Sequence, residues 1–159
     1  MKKLKLYLDT STISHLFAED TPDKMNDTNL LWTDFAKNKY HICISPVVIN
    51  EIKKCPKPRQ SLMFEKLEQI EFQILNEVDE VYSLANEYVK GGVLNENSHT
   101  DCLHIAYAVI YNCDVIVSWN FKHLVNYRTI NKVKVVNTMH LYKEIGIISP
   151  TMLIEEEKL

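Results

Sequence analysis

Three acidic residues occupy the positions in this chain that are best suited to chemistry. Asp9, Glu51 and Asp101 each lie where a predicted strand has just ended or a predicted helix begins. In an open α/β sheet such positions converge at one edge, in the crevice where ligands bind. Carboxylates brought together there repel one another unless a cation lies between them, and Mg²⁺ prefers oxygen ligands of this kind. The sequence therefore predicts a metal-dependent enzyme.

Each acid also has an ordinary structural explanation. Asp9 would cap a helix that begins near Thr12. Glu51 would lie on the exposed face of an amphipathic helix, and Asp101 would be stabilised by the dipole at the start of its own helix. Independent capping gives no reason for acids from separate units to meet at one edge, so the convergence favours a common site.

Strands that alternate with helices position these acids. Apolar runs predict strands at residues 4–8, 41–45, 72–75, 114–118 and 133–136. Helical spacing and turn signals predict helices that carry residues 13–17, 30–38, 61–70, 77–90, 102–111 and 138–145, a helix from Pro46 to the prolines at 56 and 58, and a polar loop at 19–29. Gly91 and Gly92 supply the left-handed residue that ends helix 77–90. This order predicts an α/β fold with a mainly parallel sheet of about four or five strands, covered on both faces.

Length and composition indicate one domain. The chain has 159 residues and a hydrophobic content of 46%, enough for one substantial core. We assign residues 1–150 to this domain and 151–159 to a short acidic C-terminal tail, in which residues 154–157 are expected to be solvated. The net charge of -3 means that any grip on nucleic acid must come from a local basic patch.

The cysteines and the apolar runs bear on the compartment. The four cysteines form no C-x-x-C pair, which is typical of a reduced, cytoplasmic protein. No apolar run approaches the roughly 18 residues of a membrane span, and no signal peptide is apparent. We expect no membrane association.

Four motifs together resemble the PIN-domain family. They are Leu-Asp-Thr-Ser at 8–11, Ser-Pro-Val-Val-Ile-Asn-Glu-Ile at 45–52, His-Thr-Asp-Cys-Leu-His-Ile-Ala-Tyr-Ala at 99–108, and Asp-Val-Ile-Val-Ser-Trp-Asn-Phe-Lys-His at 114–123. Each is short, but their order and spacing across residues 6–150 are considerably more specific. The resemblance implies an α/β/α sandwich and an endoribonuclease that depends on Mg²⁺ or Mn²⁺. For a chain of this length it implies the toxin of a VapC-type toxin–antitoxin pair.

The resemblance also implies roles for particular residues. Asp9, Glu51 and Asp101 match the first three acids of the family and would hold the metal. Asn120 falls where many members have a fourth acid, and its neutral amide should leave a second cation more weakly held. Ser118 would position a metal-bound water or a phosphate, or serve simply as the polar end of a strand.

The mechanism and partners follow from the same resemblance. A metal held by Asp9 and Asp101 would activate water, Glu51 would complete the shell or orient that water, and hydrolysis would leave a 5′-phosphate and a 3′-hydroxyl. An RNA substrate, a homodimer and an antitoxin that covers the cleft are also implied.

Nearby basic groups have open assignments. A histidine inside an apolar helix, such as His104, is more often a packed core residue than a ligand. His99 and His123 are loop candidates without a stronger claim. A basic run and a second pair could grip an RNA backbone or could be solvated surface; they are Lys53, Lys54, Lys57 and Arg59, and Lys122 with His123.

Two other functions compete with a nuclease. Asp9-Thr10-Ser11-Thr12 is similar to the D-x-D-x-T signature of haloacid dehalogenase phosphatases, but Ser11 stands where that chemistry needs a second carboxylate. A PIN module that binds RNA or a partner protein without turnover is the other alternative. Asn120 favours it, whereas retention of the three acids favours catalysis.

Overall fold

A sheet of five parallel strands forms the centre of the chain. In the computed structural model, which describes residues 2–158, the strands are β1 (Lys5–Leu8), β2 (His41–Ile44), β3 (Gln73–Ile74), β4 (Val115–Val117) and β5 (Gly146–Ile148). Their order across the sheet is β3-β2-β1-β4-β5. Leu6 on β1 pairs with Ile42 on one side and with Val115 on the other. The direction of winding reverses beside β1, so the crevice for a ligand lies at its carboxyl end.

Helices connect and flank the strands. They are α1 (Thr10–Ser14), α2 (Pro22–Ala36), α3 (Pro46–Lys53), α4 (Lys57–Glu68), α5 (Asp79–Lys90), α6 (His99–Ile110), α7 (Tyr127–Met139) and α8 (Pro150–Lys158). Two 3₁₀ turns, His15–Phe17 and Glu96–Ser98, complete the elements of the described residues. The predicted α/β fold with a parallel sheet is confirmed.

The core lies around the central strands and α6. Leu6, Tyr7 and Leu8 of β1 are fully buried, as expected for a parallel strand covered on both faces. Helix α6 is buried along most of its length because it is apolar nearly all round and packs on α5. The cysteines are free, and Cys43, Cys102 and Cys113 lie in this core.

The turn after α5 requires glycine at both positions. A Cβ on Gly91 would lie 2.7 Å from Cγ2 of Val136 on α7, closer than packed atoms allow. Gly92 has a φ of +73°, the left-handed conformation predicted for this turn. Close packing of α5 on α7 and a left-handed turn are therefore both encoded by the glycine pair.

The last strand and helix were predicted at the wrong positions. Residues 133–136 lie in α7, where Val133 and Val136 are buried and Val135 is 52% exposed. That burial follows helical spacing, which an alternating sequence of four residues cannot reveal. The predicted helix 138–145 is likewise wrong beyond Met139, because the chain leaves α7 and reaches β5 at Gly146.

Two helices with a proline in their first turn begin earlier than predicted. The predicted loop at 19–29 is wrong from Pro22 onward, because Pro22 occupies the first turn of α2. Most polar residues of α2 are at least partly exposed, while Thr28, Leu31, Trp32 and Phe35 are buried. Helix α4 similarly begins at Lys57, four residues before the predicted start at 61.

The C-terminal segment is helical and its beginning is packed. Leu153 and Ile154 of α8 are buried, and α8 contacts α2. Thr151 also donates a hydrogen bond to Asp27 on α2 at 2.6 Å. The prediction of a solvated end is therefore wrong at Ile154, and the side chains of 155–157 lie outside the described ones. Within residues 2–158, no helix combines the length and apolar character that a membrane span needs.

Candidate active site

Asp9 lies at the carboxyl end of β1, beside the point where the sheet reverses its winding. It is only 4% exposed and is the N-cap of α1. Ser11 donates to its Oδ1 at 2.6 Å, and Ser118 donates to its Oδ2 at 2.6 Å. The amide of Thr12 also reaches Oδ1, at 3.3 Å. The capping role and the strand-edge position therefore coexist in one carboxylate.

The buried position of Asp9 disfavours its ionised form. Burial raises the pKa of Asp9 above its ordinary value. His104, when protonated, and the hydroxyls of Ser11 and Ser118 offset part of that increase. Among the described residues no basic side chain forms a salt bridge with Asp9. A cation at this carboxylate would therefore relieve a buried negative charge.

Ser118 and Ser11 fasten the ends of two strands together. Ser118 is fully buried at the end of β4, and its oxygen accepts a hydrogen bond from the amide of Asn120 at 2.9 Å. Ser11 accepts from the amide of Trp119 at 2.9 Å while it donates to Asp9. The hydroxyl of Ser118 thus donates to Asp9, while its contact with a metal-bound water or a phosphate stays a prediction.

Glu51 lies near the end of α3, and its side chain is 35% exposed. Its Oε1 accepts from Oγ1 of Thr10 at 2.8 Å and lies 2.7 Å from Nε2 of His104. Burial acts to raise the pKa of Glu51, but the hydrogen bond from His104, the charge of that ring when protonated, and Thr10 hold it below its ordinary value. Glu51 is therefore an anchored carboxylate, not one on a free solvent face.

Behind Glu51, three side chains form a buried connection that we call the relay: His104, Tyr7 and Ser45. Nδ1 of His104 lies 2.6 Å from Oη of Tyr7, which lies 2.7 Å from Oγ of Ser45. Tyr7 and Ser45 are inaccessible, and His104 is 2% exposed. His104 is indeed buried in the core, but it contacts the active-site candidate Glu51 as well.

Asp101 lies in the first turn of α6 and is paired with His123. Nδ1 of His123 lies 2.8 Å from Oδ2 of Asp101. The side-chain amide of Asn120 is partly engaged in a turn, because its Oδ1 accepts from the backbone amide of His123 at 3.0 Å. The turn from Asn120 to His123 thus brings a ring nitrogen to the carboxylate of Asp101.

Hydrogen bonds connect Glu51 with the residue next to Asp9 and with the helix that carries Asp101. Thr10, the neighbour of Asp9, bonds to Glu51, and His104, which bonds to Glu51, lies three residues after Asp101 on α6. Across the part of the chain that the structure describes, no three His, Cys, Asp or Glu side chains are grouped closely enough to hold a metal ion. The chemistry of the donors nevertheless fits a hard cation, because the buried carboxylate of Asp9 lacks a cationic partner.

A cavity of about 430 Å³ is lined in part by His123, the partner of Asp101. Its wall includes three groups with basic nitrogens, on Lys122, His123 and Arg128. By contrast, Arg59 of the predicted basic run donates to the backbone carbonyl of Ser14 at 3.0 Å and so joins α4 to α1. Arg59 therefore has a structural role, and the cavity is a further candidate for contact with an anionic backbone besides Lys53, Lys54 and Lys57.

Several residues of the site gave no distinguishing signal in the sequence. Tyr7 fits an apolar strand, and its partners His104 and Ser45 are 97 and 38 residues away along the chain. His123 follows the end of β4 by only a few residues, the one hint that it could return to the site. Thr10, next to Asp9, could have been proposed from its position at the strand end.

Solved structures share this fold over nearly the whole chain. A chain of VapBC2 from Rickettsia felis, bound to a DNA fragment from its promoter, has a TM-score of 0.57 at 19% identity, covering 92% of this chain and 98% of that one. This chain has a VapC-type, PIN-like fold. A chain of DNA-bound VapBC from Salmonella typhimurium has a TM-score of 0.55 at 16% identity, with coverages of 92% and 98%. A chain of VapBC-1 from nontypeable Haemophilus influenzae has 0.57 at 13% identity, with coverages of 93% and 99%.

The likeness concerns the VapC-type fold itself. No protein-family model matches the sequence, and no curated protein matches it significantly. The resemblance drawn from the four motifs agrees with the fold of these structures.

Proposed function

We propose that this chain is a metal-dependent endoribonuclease that hydrolyses RNA phosphodiester bonds, and that it is the toxin of a type II toxin–antitoxin pair. The observation that carries the proposal is the buried Asp9 carboxylate at the switch point of a VapC-type sheet, linked through Thr10 to Glu51. A buried carboxylate without a cationic partner, at the edge where α/β folds bind ligands, is suited to a divalent cation.

Asp9, Glu51 and Asp101 would hold Mg²⁺ or Mn²⁺. When bound, such an ion lowers the pKa of water and neutralises charge on a phosphate. Ser11 and Ser118 orient the Asp9 carboxylate by donating to its two oxygens, and these hydrogen bonds favour its ionised form. His123 orients Asp101 in the same way.

Asn120 limits the negative charge of the site. Its amide is neutral, and its Oδ1 already accepts from the amide of His123. A site with three carboxylates and this amide should hold one ion firmly and a second weakly. We expect the second ion to enter with the RNA, whose phosphate supplies the missing charge.

The RNA backbone would pass the cavity beside His123. The chain has a net charge of -3, so a bulk positive surface cannot attract RNA. Lys122 and Arg128 are exposed on the wall of the cavity and can pair with phosphates next to the scissile one. Their contacts would fix the position of the strand without selecting a sequence.

The proposal extends to partners and location. The compared structures are of VapBC complexes, which supports an antitoxin partner for this chain. A homodimer and a cytoplasmic location belong to the same proposal. Co-expression with the gene that neighbours it should give a stable complex in which nuclease activity is suppressed.

RNA cleavage by matched variants tests the enzymatic part of the proposal. The purified chain, given structured RNA and Mn²⁺, should yield fragments with 5′-phosphate ends, and Asp9→Asn and Asp101→Asn should not. Asp114→Asn is the control, because the side chains of Asp114 and Asp101 are 25% and 21% exposed and Asp114 lies at the opposite edge of the sheet. Cleavage that persists in both site variants would show that the acids are not the catalytic groups.

A module that binds RNA without turnover is the second candidate. The engagement of the Asn120 side chain in a turn favours it, since that residue then contributes little to a metal site. This candidate predicts RNA binding that is equal in the parent and in Asp9→Asn, with no cleavage in either. A difference in cleavage between the two proteins would eliminate it.

A further inference from the structure

The surroundings of Ser45 and the carboxylate of Glu51 determine the direction of the hydrogen bonds in the relay. Oγ of Ser45 accepts from the amide of Val47 at 3.2 Å, and its other partner is the hydroxyl of Tyr7. At the other end, an ionised Glu51 can only accept. The groups of the relay therefore donate in one direction. Ser45 donates to Tyr7, Tyr7 donates to Nδ1 of His104, and Nε2 of His104 donates to Glu51.

The reverse direction leaves a buried hydrogen without an acceptor. If Nδ1 of His104 carried the hydrogen, it would donate to Tyr7, and Tyr7 would donate to Ser45. The hydroxyl hydrogen of Ser45 would then have no acceptor among the described residues. Ser45 and Tyr7 are fully inaccessible, so water cannot replace that acceptor at low cost.

We propose that Ser45, Tyr7 and His104 are positioning residues that orient Glu51, because the hydroxyl of Tyr7 fixes the rotation of the buried His104 ring. The inference rests on the proposed function, because the orientation of Glu51 affects catalysis only if that carboxylate serves the reaction. Without the Tyr7 hydroxyl, Nδ1 of the buried ring loses its hydrogen-bond donor. The rotation of the ring is then no longer fixed from that side, and the hydrogen bond from Nε2 no longer holds Glu51 in one orientation.

The chain provides a matched control for the loss of this hydroxyl. Tyr88 on α5 is also a fully buried tyrosine, and its hydroxyl donates to Oδ1 of Asn137 at 2.6 Å. The distance between Tyr7 and His104 is the same, 2.6 Å. Tyr7→Phe and Tyr88→Phe each remove one buried hydroxyl and one short hydrogen bond. They differ in whether that bond leads to Glu51.

Ring ¹⁵N spectra at mildly alkaline pH test the tautomer directly. The parent and Tyr88→Phe should show His104 with a protonated Nε2 and an unprotonated Nδ1. Tyr7→Phe should keep that tautomer, but its Nδ1 resonance should move toward the position of a nitrogen without a hydrogen bond. An Nδ1–H ring in the parent, or an Nδ1 resonance that is the same in the parent and in Tyr7→Phe, would overturn the inference.

Kinetics test the consequence for catalysis. Loss of a partner behind a metal-site ligand typically reduces activity about 10- to 100-fold, so we expect kcat of Tyr7→Phe to fall in that range with KM unchanged. Tyr88→Phe should keep the parental kcat. His104→Gln, which can still donate to Glu51, should retain more activity than His104→Leu at equal folded fraction. Equal activities in these two His104 variants would contradict a positioning role.

The two tests separate failure of this inference from failure of the proposed function. If the parent does not cleave RNA, the nuclease proposal fails and the positioning role fails with it, while the ring spectra still decide the tautomer. If the parent cleaves RNA and the spectra show no effect of Tyr7→Phe, only the relay is refuted.

Discussion

Replacement of Asp9 by asparagine should reduce the stabilisation of the folded chain by divalent cations. Without a cation, the buried carboxylate of Asp9 opposes folding at neutral pH, because burial raises its pKa in the folded state. The protonated form contributes stability that is fully present below the unfolded pKa and is lost as the pH rises through the folded pKa. Asp9→Asn lacks this group, so its stability relative to the parent should increase from acid to neutral pH.

A bound cation should reverse that relationship. At a concentration of about 100 times Kd, a ligand that binds only the folded state adds about 2.7 kcal/mol. For a chain of 159 residues, about 2–4 °C of Tm accompanies each kcal/mol, which gives a rise of about 5–11 °C in the parent. Asp9→Asn retains the steric volume of the carboxylate but not its charge, and should respond by less than half as much.

The assay is thermal unfolding in a titration with Mn²⁺, followed for the parent, Asp9→Asn and the control Asp114→Asn. Denaturant unfolding across acid to neutral pH supplies the stability difference between the parent and Asp9→Asn. Equal Mn²⁺ shifts in the parent and in Asp9→Asn would refute the assignment of Asp9 as a ligand. A stability difference that does not vary with pH would refute the account of its burial.

The remaining predictions concern packing and RNA contact. Gly91→Ala should destabilise the chain by about 1–3 kcal/mol in urea unfolding, because the new methyl overlaps the buried Val136. Gly146→Ala should be nearly neutral, because its Cβ would lie 3.4 Å from the nearest atom, an ordinary van der Waals contact. A destabilisation that is equal in both would contradict the close approach of α5 to α7. Lys122→Gln with Arg128→Gln should weaken RNA binding in EDTA and reduce the slope of log K against log salt by about 1.4, two phosphates at about 0.7 each. Lys143→Gln should leave that slope unchanged, and an effect as large as that of the double variant would indicate nonspecific attraction.

The sequence was sufficient to place Asp9 between a strand and a helix, because that position depends on local signals. Asp9 follows an apolar strand and precedes a helix, and both features are visible within about ten residues. The central helix α6 was equally plain, since its apolar residues leave no polar face. The VapC-type order of strands agrees with the motifs that carried the resemblance.

Contacts between distant segments were not predictable in the same way. His104 is a core histidine by local criteria, and only the fold brings it to Glu51, 53 residues away. Strand β5 has three residues, Gly146–Ile148, and pairs with β4 in a register that no local pattern indicates. The segment 133–136 is too short for its apolar pattern to distinguish a strand from the helix that it occupies.

The central claim is that Asp9 and Asp101 perform metal-dependent cleavage of RNA. Single-turnover cleavage in Mn²⁺, compared among the parent, Asp9→Asn, Asp101→Asn and Asp114→Asn, tests it most directly. The loss of a metal ligand removes several kcal/mol of transition-state stabilisation, so each site variant should be slower by more than about a hundredfold, with Asp114→Asn close to the parent. Rates that match the parent in both site variants, or no Mn²⁺-dependent cleavage by the parent, would contradict the account.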